Sequence, residues 1–125
     1  MFSNADLIWN RAALEKGGRA ARQGDRALAG LLEAHGLIAN GGVVHCLEVL
    51  VAAEISAAIA GYRYFGFTSA ADLLVYAGDT RIGELTEDLW VKLDERYWLI
   101  VENDGALQAA FERQFSALPD EFAPV

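Results

Sequence analysis

The chain has 125 residues, 54% of them hydrophobic and 22% charged, and 18 acids against 10 bases give a formal net charge of −8. That length accommodates one core, so residues 1–125 are expected to form one domain, and the composition excludes a disordered chain. The acidity argues against direct binding of nucleic acid, whose phosphates are neutralised by Lys and Arg.

The acidity is uneven. Residues 1–63 carry six acids and six bases, whereas residues 64–125 carry twelve acids and four bases. The whole excess therefore lies in the second half, a field that repels phosphate and steers a basic protein toward it. The longest apolar run, 43–60, contains His45, Glu48 and Glu54, so no membrane span is expected there. The opening residues lack the basic start and apolar stretch of a signal peptide. The single Cys46 needs no oxidising compartment. A cytoplasmic location is expected.

Ser3 or Asn4 can cap a first helix with Asp6 in its first turn, ended by Gly17-Gly18. A second helix starts near Arg19 or Asp25 and carries Leu28, Leu31, Leu32 and His35 at helical spacing, with Gly36 as an available terminal glycine. Its arginines Arg19, Arg22 and Arg26 share a face, suited to pairing within the chain or with a second copy. Asn40-Gly41-Gly42 then forms a corner, since asparagine tolerates and glycine readily adopts positive φ. Beyond it, 43–51 and 52–65 read as two helices or one bent element, rich in small residues suited to close helix packing, and ended by Gly66. Ser69 and Asp72 have the spacing of a capping box that opens a short helix through Tyr76, stopped by Gly78. Residues 79–85 form a polar connection, and Thr86 caps a helix bearing Leu89, Trp90, Leu93, Tyr97, Ile100 and Val101. Asn103-Asp104-Gly105 breaks it, and a last helix with Ala110, Phe111 and Phe115 runs to Pro119. No stretch reads as a strand. The fold class is all-α, a bundle of about six to seven short helices.

The sequence offers little to catalysis. His35, His45 and Cys46 lack zinc-ligand spacing. His45 and Cys46 are neighbours that point about 100° apart on a helix, and Cys46 reads as a buried small hydrophobe. The aromatic segment 61–67 matches an RNA-recognition strand only loosely, and the Gly-Gly pairs lack the lysine and Ser/Thr of a phosphate loop. No catalytic residue, cofactor or metal is expected, and the protein reads as no enzyme. A Cys/His enzyme remains the alternative if Cys46 lies open in a cleft.

The binding surface is expected on the helix over 87–102. Asp88, Lys92, Glu95, Leu99 and Glu102 follow one another at intervals of four, three, four and three, which places them on one face. A leucine among acids there either contacts a basic, partly apolar groove of a partner or tucks against the last helix. Asp94 and Asp104 join the site, with Glu84 and Glu87 in support.

Three further features carry a resemblance: the Asn40-Gly41-Gly42 corner, an Ala/Leu helix ending at Tyr64-Phe65-Gly66, and Leu93-Asp94-Glu95-Arg96-Tyr97-Trp98. With a close on Leu118-Pro119-Asp120-Glu121-Phe122, this order over residues 25–122 resembles a bacterial domain family named after an acidic DNA-mimic protein. The resemblance implies an all-helical fold, no known catalytic activity and, for the founding protein, binding of a transcription factor in place of DNA. This chain departs from the family after the glycine pair, where Val43, Val44, His45 and Cys46 replace an aromatic residue and a glutamine. The expected function is thus a non-catalytic acidic module that engages a basic protein, as a DNA mimic or otherwise. The alternatives are an immunity protein that neutralises a toxin, and a structural homodimer in which the Arg19, Arg22 and Arg26 face meets the acidic half of a second copy.

Overall fold

Ser3 starts the first helix: its Oγ accepts from the Asp6 N–H at 3.1 Å, and Asp6 Oδ2 accepts from the Ser3 N–H at 3.1 Å. Two otherwise orphaned helix-end donors are satisfied in this reciprocal way. The computed structural model describes residues 1–80 and 82–125; Arg81, in the expected 79–85 connection, and the side chain of Ile82 lie outside them. Among the described residues the chain forms α1 Asn4–Glu15, α2 Gln23–Val49, α3 Ala52–Tyr64, α4 Thr68–Asp79, α5 Glu87–Ile100 and α6 Asp104–Ala117. Two 3-10 turns, Ile82–Glu84 and Pro119–Glu121, complete the all-α architecture, with no strand among the described residues.

α2 is the central element, packed against α1, α3, α4 and α5. It is long and apolar enough to cross a membrane by length and composition alone. Here it buries Leu28, Leu31, Ala34, Ile38, Val43, Val44 and Leu47 in the bundle. Gly42, at φ 93° and ψ 175°, bends it into arms 23–41 and 43–49. The corner therefore falls where Asn40-Gly41-Gly42 placed it, whereas Gly36 lies inside the first arm and ends nothing. Isolated glycine weakens a helix by only about 1 kcal/mol, which the packing of the arm on either side overrides. α3 lies close against the first arm: a Cβ on Gly61 would stand 2.3 Å from the Ala27 carbonyl oxygen, and one on Gly30 2.7 Å from that of Ala57. The small-residue composition of both helices thus sets their separation.

The expected Ser69 cap does not form. α4 begins two residues earlier, after Phe67, without a side-chain cap, and Asp72 instead pairs with Arg63 of α3 at 2.9 Å. Gly78 does not stop α4, which runs to Asp79. Thr86 and Asn103 cap α5 and α6 as expected, accepting from Leu89 N–H at 3.2 Å and from Ala106 N–H at 3.0 Å.

The core is one continuous cluster from Ile8 to Phe122. Phe111 stands at its α6 side, stacked on Phe115 and edge-on to Phe65 and Phe122. Both chain ends are tied to α2 through Asp25, which is fully buried. Its carboxylate accepts from Arg11 Nη2 at 2.8 Å, the Arg22 N–H at 2.9 Å and the Ala123 N–H at 2.7 Å. Arg11 in turn donates to the carbonyls of Ala123 and Pro124. A buried charge is tolerated only when paired and hydrogen-bonded in this way.

Candidate binding face

α5 separates an inner from an outer face with 3.6-residue periodicity. Leu93, Tyr97 and Val101 point into the core, while Asp88, Lys92, Glu95, Leu99 and Glu102 are all exposed. Leu99 is 79% exposed, so it does not tuck against α6. Val91, also exposed, widens the apolar part of this face. Glu102 follows the helix at φ 46°, in the turn that leads to the Asn103 cap, and Glu84 and Glu87 are exposed at the other end.

Two of the expected site residues are engaged inside the fold. Asp94 is only half exposed, and its Oδ1 accepts from the Val43 N–H at 2.8 Å. That N–H is an orphan created by the bend, because the residues before it no longer supply a helical partner. A Cβ at Gly42 would lie 2.7 Å from Asp94 Oδ2, so the carboxylate approaches only because residue 42 is glycine. The Asn40-Gly41-Gly42 corner and the Leu93-Asp94-Glu95 segment are thereby one junction. The other two motif segments also meet, since the Tyr64 hydroxyl donates to Glu121 Oε1; Arg22 Nη1 donates to the Asp120 carbonyl at 3.0 Å.

Asp104 is 86% exposed on its side chain, yet it holds His35 Nε2 at 2.6 Å. His35 Nδ1 meets the Tyr97 hydroxyl at 2.7 Å, and that hydroxyl meets Tyr62 at 2.5 Å. A carboxylate only accepts, so Nε2–H donates to Asp104; in a neutral imidazole Nδ1 then accepts from Tyr97, and Tyr97 from Tyr62. All four groups are satisfied in one direction along the chain. Burial pushes both tyrosine hydroxyls well above their ordinary titration range. The series has the order of an acid–base relay, but both hydroxyls are fully buried, and it links α2, α3, α5 and α6.

The Cys/His alternative gains no support from this geometry. Cys46 is 1% exposed, and burial pushes its thiol up to about 11, so it stays protonated at neutral pH. His45 packs over Gly41. Among the described residues no three His, Cys, Asp or Glu side chains form a metal-holding group. On the far side of α2, Glu33 and Glu54 share a hydrogen bond; burial first, then Glu54, raises Glu33 above the ordinary carboxylate range. The Val51 N–H, first, and Glu33, second, lower Glu54. The arginine face is largely spent on the chain itself, since Arg26 Nη1 donates to the Ala21 carbonyl at 2.8 Å and Arg22 to Asp120.

A feature that sequence reading missed is a groove of about 590 Å³ between α4 and α5. Ser69, Asp72, Leu73 and Tyr76 line it from α4, and Leu89, Lys92, Leu93, Arg96 and Ile100 from α5. The i, i+4 spacing of Lys92 and Arg96 was the available signal. Compared with models of known protein families, with curated proteins and with solved structures, the chain gives no match.

Proposed function

We propose that the protein is a non-catalytic binding module that engages a basic, partly apolar protein surface through the outer face of α5. The observation that carries this reading is Leu99, 79% exposed between Glu95 and Glu102 on a helix face left open among the described residues. Acids around an exposed apolar anchor recruit a cationic partner over distance and then hold it by burial.

Charge density decides the form of the contact. α5 spans about 21 Å at 1.5 Å per residue, and duplex DNA carries about twelve charges over that length. α5 carries four acids, Glu87, Asp88, Asp94 and Glu95, and two bases, Lys92 and Arg96. The face therefore suits a compact patch on a protein better than it imitates a duplex along its length. The DNA-mimic and immunity-protein forms of this reading differ in the partner: a nucleic-acid-binding protein or a toxin.

Capture from the lysate of the encoding organism, at low and high salt and read by mass spectrometry, tests the proposal. The expected result is a basic protein held by the native chain at low salt, released at high salt, and not held by the E95K/E102K variant. Equal capture by that variant, or no salt-sensitive basic protein, overturns it.

A further inference from the structure

The groove between α4 and α5 has a floor and a rim of different chemistry. Leu73, Leu89, Leu93 and Ile100 supply apolar walls, and its volume of about 590 Å³ falls within the usual range of small-molecule pockets, about 300–1,000 Å³. The polar groups on its rim are mostly donors: the hydroxyls of Ser69 and Tyr76, the Lys92 ammonium and the Arg96 guanidinium. Its one carboxylate, Asp72, is held by Arg63 at 2.9 Å. Lys92 and Arg96 make no ion pair or hydrogen bond with any described residue, although the chain carries eight more acids than bases. Lys92 and Arg96 line the groove, whereas Asp88, Glu95 and Glu102 do not. Two adjacent cations above an apolar trough, whose one carboxylate is already paired with Arg63, complement an anion that carries an apolar body.

We infer that the α4–α5 groove binds an amphipathic small-molecule anion, with its carboxylate, sulfonate or phosphate at Lys92 and Arg96 and its apolar part along Leu73, Leu89, Leu93 and Ile100. This site shares Lys92 with the outer face of α5 but uses neither its acids nor Leu99, and it holds whether or not that face binds a protein.

The test titrates the full chain with 8-anilinonaphthalene-1-sulfonate, followed by fluorescence and by amide shifts in a nitrogen–proton spectrum. The probe is then displaced with decanoate or, as a charge-reversed control, with decyltrimethylammonium. The expected result is saturable one-to-one binding with shifts confined to the facing surfaces of α4 and α5, and displacement by decanoate alone. K92Q/R96Q, which alters only exposed positions, is expected to weaken binding about tenfold or more through loss of both charge-assisted contacts. K16Q/R19Q, which removes two exposed cations elsewhere, is expected to leave it within about twofold. Non-saturable binding, shifts outside the groove, equal displacement by the cationic amphiphile, or a K92Q/R96Q affinity within about threefold of the native value overturns the inference.

Discussion

Gly42 holds φ at 93°, and a methyl group there would sit 2.7 Å from an Asp94 carboxylate oxygen. Gly42→Ala therefore incurs both left-handed strain and the loss of the cap on Val43, and should destabilise the fold by about 2–4 kcal/mol. Asp94→Ala removes the cap alone, at about 1–2 kcal/mol. Urea unfolding of the two single variants and the double checks this; because they share one contact, the double should fall short of the sum. At Glu33 the sign of the pH effect is fixed by the direction of its shift. A carboxyl raised in the folded state binds its proton more tightly there, so its favourable contribution is full at low pH and declines as pH rises through the raised value. Glu54, lowered, acts in the opposite sense, losing its contribution as pH falls. Glu33→Gln keeps a donor toward Glu54 at every pH. It should match the native chain near pH 4 and exceed it at pH 7 by about 0.2–1 kcal/mol, read by thermal unfolding at both values.

At the scale of elements, Leu99 illustrates what the sequence settled and what it left open. Spacing placed it on a face with Asp88, Glu95 and Glu102, and the structure agrees, but spacing alone cannot say whether a neighbouring helix covers that face. Because it is exposed, Leu99→Ser should change stability by no more than about 0.5 kcal/mol, while weakening partner capture; a large loss of stability would show that the leucine is packed. Helix identity was legible wherever a cap or a run of spaced apolar residues marked it, as at Ser3, Thr86 and Asn103. Gly36 and Ser69 misled because both carry local signals that tertiary packing overrules. Asp94 was read as a binding-site residue because its partner, the Val43 N–H, lies 51 residues away and is freed only by the bend. For the groove beside α5 only the spacing of Lys92 and Arg96 was legible, since its other wall comes from α4, about twenty residues earlier in the chain.

Over the whole molecule, the chain is closed by polar contacts at its ends and by one aromatic-rich core between them. Asp25 joins α1, the start of α2 and the C-terminal tail through three hydrogen bonds. Asp25→Ala would leave Arg11 partly buried and unpaired, and should cost about 3–5 kcal/mol in urea unfolding. That is a large fraction of the roughly 5–15 kcal/mol that holds a domain folded. With the ends so tied, the corner capped by Asp94 and the His35 relay satisfied by Asp104, Asp88, Glu95 and Glu102 are the exposed carboxylates that surround an exposed leucine, whereas Glu15, Glu48, Asp79 and Glu112 are exposed elsewhere. A photo-crosslinking residue at position 99 of the full chain, compared with the same residue at exposed position 112 of α6, tests this most directly. In cells of the encoding organism the account predicts an adduct with a basic protein from position 99, none from position 112, and loss of the adduct when E95K/E102K is added. An adduct from position 112 with none from 99, or an adduct from 99 that survives the charge reversal, would contradict it.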